Sequence, residues 1–315
     1  MKRCCDVGSA GPPTCWEKVA LRMDTVVRIA AVSCLPESEV MPAIERALMA
    51  FTFVEQTCSR FRTDSEVSHL SQQVGRPVPV SPLLFEAIRF ACEVAGATGG
   101  AFDPTVGAKL ESYGFNREYR SGATYDSGVD PEAPVTHQDI LLNEGARTIL
   151  LKRPLVIDLG AVAKGLAIDL ASRELTPFDG ALIDAGGDIY VGGLNERGEP
   201  WKVGIRRPLR TEEVIRSIQL TDAAVCTSGG YFRRSPVRGN THHLIDARSG
   251  ESPAGILSCT VVAPFAMAAD ACATAAFVLG LERGMTFLEE TGLAGMFIGP
   301  SQEIHVSSGM RGYLP

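Results

Sequence analysis

Apolar positions along this chain follow two different periods, and the change between them divides it. From Glu37 to Cys58, the residues Ile44, Leu48, Phe51 and Val54 recur near helical spacing and predict a helix. Ser81-Pro82 opens a second helix, with Ser as N-cap and Pro at the first helical position. Its apolar face runs Leu84, Ile88, Ala91, Ala95, and it ends before Gly99-Gly100. From Thr148 onward the apolar residues form short runs instead. Strands are expected at 148–151, 155–159, 181–183, 189–191, 201–205 and 217–220, with one helix at 162–174 between them. Further strands are expected at 25–33, 242–245, 258–262 and 295–298, and a helix at 266–279 after Pro264. Strands that come in runs, with few helices between them, favour an α+β fold with largely antiparallel sheets over a doubly wound parallel one. Residues 113–134, rich in Gly, Ser, Asp and Arg, read as a long surface loop. Residues 1–20 read as a loose leader ahead of one domain at 21–315.

Composition narrows the function classes. With 45% hydrophobic residues the chain can bury a sizeable core, and its net charge of -7 argues against a nucleic-acid or anionic-membrane surface. No apolar run reads as a membrane span. Met1-Lys2-Arg3 has the positive start of a signal peptide without the apolar segment and cleavage site that should follow, so a cytoplasmic setting is expected. Of nine cysteines, Cys58, Cys92, Cys226, Cys259 and Cys272 sit in apolar patterns and read as small core residues. Cys4, Cys5 and Cys15 fall in the leader, and no C-x-x-C or zinc-type spacing occurs.

The candidate chemistry starts in Ala268-Ala269-Asp270-Ala271-Cys272-Ala273-Thr274, where a carboxylate and a hydroxyl stand four positions apart on one helix face. Oxygen ligands at that reach suit a hard cation such as Mg2+; a buried, capped Asp is the plainer alternative. Lys164 and Asp158 flank a Gly-containing turn whose N–H groups suit a diphosphate. Glycines at 99–100, 186–187 and 229–230 permit close approach of backbone to a large ligand. Phe61 and Phe102 fit a ring-stacking role and a core role equally well. No G-x-G-x-x-G follows a strand.

In order along the chain stand Ser59–Glu66 (SRFRTDSE), Gly100-Ala101-Phe102-Asp103-Pro104-Thr105 and Ile157-Asp158-Leu159-Gly160-Ala161-Val162-Ala163-Lys164-Gly165. Then come Gly186-Gly187-Asp188-Ile189, Pro200-Trp201-Lys202-Val203-Gly204-Ile205, Thr227-Ser228-Gly229, His243-Leu244-Ile245-Asp246 and the Asp270 segment. Together these eight blocks resemble the ApbE family, the FAD:protein FMN transferases. The resemblance covers roughly residues 23 to 300. It implies an α+β fold of two intimately packed lobes, with largely antiparallel sheets flanked by helices. It also implies Mg2+ held by the Ala161 carbonyl, Asp270 and Thr274, and FAD contacted by Met23, Phe61, Ala101, Phe102, Asp103, Asp158, Lys164, Ile245 and Ala273. The catalytic set it implies is His243 as base, Asp246 beside it, and Lys164 on the phosphates. FMN would pass from FAD to a Thr or Ser of an acceptor protein, with release of AMP. The rival readings are an FAD pyrophosphatase and a non-catalytic FAD-binding protein.

Three positions depart from the family pattern: Asp24 in Met23-Asp24-Thr25, Asp184, and Ala247 after the His243 segment. The family's usual export signal is missing as well. If 242–245 is a strand, His242 and His243 point to opposite faces. Ser121-Gly122-Ala123-Thr124 resembles part of the family's acceptor signature, but Tyr119 and Arg120 stand where an acidic residue belongs. Thr124 is therefore expected to stay unmodified.

Overall fold

The computed structural model describes residues 12–118, 122–239 and 241–315. The chain opens with a hairpin of β1 (Thr14–Arg22) and β2 (Thr25–Ser33), turned at Met23 and Asp24 with φ of 47° and 59°. Helices α1 (Glu37–Cys58) and α2 (Glu66–Ser71) follow. Glu37 and Glu39 put negative charge in the first turn of α1, where the helix dipole favours it. After β3 (Val78–Pro79), the Ser81 hydroxyl accepts the Leu84 N–H at 3.2 Å and starts α3 (Pro82–Ala97), as the sequence pattern predicts. Then come α4 (Gly107–Ser112), β4 (Ile140–Asn143), β5 (Thr148–Leu151) and α5 (Ala163–Leu175). A run of strands follows: β6 (Gly180–Ala185), β7 (Asp188–Gly193), β8 (Trp201–Arg207), β9 (Arg210–Leu220), β10 (Ala223–Gly229) and β11 (Ser258–Ala263). The chain ends with α6 (Ala266–Glu290), β12 (Ala294–Ile298) and β13 (Ile304–Val306).

Eight strands form one antiparallel sheet in the order β1-β2-β6-β7-β10-β11-β12-β13. Strand periodicity gives each face its own core. Along β10, Ala224 and Cys226 join the core with α1, α5 and α6, while Val225 joins Val203, Ile205 and Ile218 of the β8–β9 hairpin. A second lobe holds α3 and the small sheet β3-β5-β4. One continuous core links the two, from Phe51 and Phe277 to Ile88 and Ile149. The fold is α+β, as expected, with helices flanking antiparallel sheets.

Four expectations are corrected. Residues 14–20, expected in a loose leader, belong to β1 and pair with β2 along its length, and Cys15 lies on that strand; Cys4 and Cys5 lie outside the described residues. Residues 155–159 are not a strand: they make one bridge, Val106 to Val156, because Asp158 N–H turns to the Pro104 carbonyl at 2.8 Å rather than to a neighbouring strand. Residues 242–245 are not a strand either, with only single bridges at His242 and Asp246. Helix α6 runs on to Glu290 past a break at Gly280, where φ is 79°. It is long and apolar enough to cross a membrane, yet 61% of its apolar window is buried in the fold. Strand β10, which carries Thr227-Ser228-Gly229, has no strong strand signal in the sequence, because its apolar run is short and rich in small residues.

Candidate active site

The N-terminus of α5 meets the first turns of α6. Gly165 permits this: a Cβ there would stand 2.4 Å from the Ala266 carbonyl oxygen. The start of α6 is capped from α5, since the Asp169 carboxylate accepts the N–H groups of Ala266 and Met267 at 2.7 and 2.9 Å. This junction brings Lys164 to two carboxylates from separate elements. Its ammonium pairs with Asp188, the first residue of β7, and lies 3.5 Å from Asp270 Oδ2 on α6. Asp270 also accepts the Gly165 N–H at 3.3 Å, and Asp188 accepts the Thr227 N–H at 3.3 Å. Burial raises the Asp270 carboxyl above its ordinary pKa, and Lys164 opposes that shift.

Thr274 lies one turn beyond Asp270, and its hydroxyl is 2.9 Å from the Ser228 hydroxyl. Ala273 beside it is fully buried. The Ala161 carbonyl accepts no hydrogen bond among the described residues, because the Gly165 N–H that would close the helical turn is given to Asp270. Lys164, Asp270, Thr274 and Ala161 therefore all lie at the α5–α6 junction. Asp188 and Ser228 join them. Their only sequence signals were Gly186-Gly187-Asp188 and Thr227-Ser228-Gly229.

A second cluster forms around Asp158, six residues before Lys164 on the same connection. The Arg60 Nε donates to Asp158 Oδ2 at 2.5 Å, and the Gly160 N–H donates to Oδ1 at 2.8 Å. Burial pushes the Asp158 carboxyl up, but Arg60 and the Gly160 N–H outweigh it and hold the pKa below the ordinary value. Phe61 lies half-buried with the Arg60 guanidinium 4.1 Å over its ring. His243 belongs here. Its ring meets Phe115 edge-on, centroids 6.3 Å apart, and Asp158 acts on its charge. Burial and Arg233 lower its pKa to about 3, so the imidazole is neutral at neutral pH. Although 242–245 is no strand, the two rings still diverge: His242 packs edge-on against Phe277 at 5.5 Å.

The remaining predicted residues lie outside these two clusters. Phe102 and Ala101 are buried in the main core, and the Ala101 carbonyl accepts the Ala247 N–H at 3.0 Å. The Asp103 carboxylate is engaged by Thr105 N–H and hydroxyl and by His137 N–H and Nδ1, at 2.8–2.9 Å. His137, 34 positions away, carried no sequence signal. Ile245 packs with Leu110 and Tyr113. Met23 sits in the β1–β2 turn against the main core. The Asp246 carboxylate folds back onto Arg248, accepting from the backbone N–H and from Nε at 3.0 and 2.9 Å. A tight turn, with Gly250 N–H on the Asp246 carbonyl at 2.7 Å, directs it there.

The sequence profile of the ApbE family matches residues 23–297. The FAD:protein FMN transferase of Treponema pallidum is 34% identical, over 97% of this chain and 91% of that protein. The Vibrio cholerae protein of the same name is 32% identical, over 75% of this chain and 73% of its own. Among solved structures, the ApbE protein of Thermotoga maritima superposes with a TM-score of 0.85 at 29% identity, covering 96% of this chain and 100% of that one. The flavin transferase ApbE of Vibrio cholerae superposes with a TM-score of 0.82 at 27% identity and the same coverage.

Proposed function

Because this chain belongs to the ApbE family, we propose that it is an FAD:protein FMN transferase whose acceptor is the hydroxyl of a Thr or Ser on another protein. The observation that carries the reading is the 158–164 connection, which supplies one group to each cluster: Asp158 near His243, and Lys164 between Asp188 and Asp270. One short segment thus carries both a carboxylate that acts on the proposed base, His243, and the cation proposed to meet the phosphates.

The acceptor oxygen attacks the phosphorus on the FMN side of the FAD diphosphate. Its proton passes to the imidazole of His243, which is neutral and free to accept it. The bond from that phosphorus to the bridging oxygen breaks, AMP leaves with the oxygen, and FMN stays on the acceptor as a phosphoester. Lys164 binds and orients the phosphate oxygens. Phe61, half-buried, is better placed than Phe102 to meet a flavin or adenine ring, since Phe102 is committed to the core.

The residues fit Mg2+. The Asp270 carboxylate, the Thr274 hydroxyl and the Ala161 carbonyl, unpaired among the described residues, are all oxygen donors, the set a hard cation takes. When bound, it would neutralise negative charge developing on the transferring phosphoryl group.

Incubation with FAD, Mg2+ and a Thr-containing acceptor peptide tests the reading. Peptide-bound flavin fluorescence matched by AMP is expected. AMP without bound flavin would make the chain a pyrophosphatase, and FAD binding without AMP a flavin-binding protein.

A further inference from the structure

Arg60 is a charged side chain buried beneath the His243 cluster, only 5% exposed. It follows α1 by two residues and reaches three other segments. Nε donates to Asp158 at 2.5 Å, and Nη2 donates to the Phe115 carbonyl at 2.6 Å. Nη1 lies 3.5 Å from Glu111 Oε1, near enough for an ion pair though no hydrogen bond joins them. Glu111 is itself fixed through Oε2, which accepts the Ser127 hydroxyl at 2.6 Å.

Both groups that Arg60 grips most closely bear on His243: the Phe115 ring meets its imidazole edge-on, and the Asp158 carboxylate acts on its charge. The other charged or titratable groups acting on the ring are Arg233, whose carbonyl also accepts the His243 N–H at 3.2 Å, and His242. A planar guanidinium can hold a carboxylate and a carbonyl at once in fixed directions, which an ammonium cannot.

The structure assigns Arg60 as a positioning residue: it sets Asp158 and Phe115 against the His243 imidazole and offsets the carboxylate charge that would otherwise act on that ring. The inference rests on the reading of His243 as the base. Asp158 works against the forces that keep the ring neutral, raising its affinity for a proton while burial and Arg233 lower it. With its charge offset, Asp158 can stand close while adding little to the proton affinity of the ring.

The test uses the full chain with Arg60→Lys and Arg60→Met. Three quantities are read: the His243 ring-proton titration by NMR in the free protein, kcat and KM for FAD, and a double-mutant cycle with His243→Ala. Arg60→Lys keeps the charge but loses the fork, so kcat should fall about tenfold with KM for FAD within about twofold, and the titration should stay put. Arg60→Met uncovers Asp158, so the His243 pKa should rise by about one unit or more. In the His243→Ala background, Arg60→Lys should cost less than about twofold further. An unchanged kcat in Arg60→Lys, or a loss fully additive with that of His243→Ala, overturns the assignment. If the Met variant does not fold, the Lys variant and the cycle decide. His243→Ala at wild-type rate would instead refute the base reading itself, and it is scored separately from the Arg60 variants.

Discussion

The Lys164 ammonium lies 3.5 Å from Asp270 Oδ2 while also pairing with Asp188, so one cation is shared by two buried carboxylates. Lys164 lies in the first turn of α5, Asp188 opens β7 and Asp270 sits on α6. Removing Asp270 leaves Lys164 still paired. Asp270→Ala should therefore fold, with thermal unfolding close to wild type, yet lose Mg2+-dependent turnover by about a hundredfold or more, the scale of a lost charge-stabilising group. A Mg2+ titration of AMP release checks it; wild-type activity and metal dependence in the variant would remove Asp270 from the site.

His243 and His242 should differ in kind. His243→Ala should lower turnover about a hundredfold, the usual scale for a general base, while FAD binding is retained. His242→Ala should do much less, because its ring packs on Phe277 away from Asp158. Equal losses, or the reverse order, would show that the wrong ring has been assigned.

Acid should weaken the fold through His243. Its pKa is lowered from 6.5 to about 3, so below pH 6.5 the unfolded chain binds a proton that the folded one excludes. That contribution is full above pH 6.5 and is lost as the pH falls from there toward 3. Asp158, also held below its ordinary value of 3.8, adds a loss with the same sign at lower pH. Thermal melts between about pH 7.5 and 4.5 should fall more steeply in wild type than in His243→Gln. Parallel slopes would contradict the buried neutral imidazole.

Gly165→Ala should destabilise by about 1–3 kcal/mol or more, since the added methyl meets backbone rather than a movable side chain. It should also lower activity, because the Gly165 N–H to Asp270 depends on that close approach. Urea denaturation measures the first effect; a midpoint equal to wild type would mean that the α5–α6 junction yields easily.

Thr124 should remain unmodified after incubation with FAD and Mg2+. Its backbone bridges Arg117, and the Tyr125 N–H bonds the Asn116 carbonyl at 2.7 Å, which ties this residue into a local hairpin; Ser121 lies outside the described residues. Intact mass settles the point: a gain of one FMN, lost in Thr124→Ala, would make the chain its own substrate.

The sequence by itself determined whatever depends on short spacing. The i,i+4 placement of Asp270 and Thr274 follows from helical geometry alone, as does the Ser81-Pro82 start of α3. The order of Gly-flanked blocks fixed the family, and runs of strands with few helices fixed the class. Only tertiary structure decided which distant groups meet: Lys164 with Asp188 across 24 positions, Asp103 with His137 across 34, and Arg60 with Asp158 across 98. Each of those charges is ordinary in its own window, and its meaning comes from the partner that packing supplies. The same reason explains the failed strands. The segments 155–159 and 242–245 read as strands, but a strand needs a neighbour with a continuous row of free N–H and C=O groups beside it, and the fold offers only single bridges there. Residues 14–20, Pro-flanked and interrupted by Glu17 and Lys18, became a strand because β2 offered a free edge.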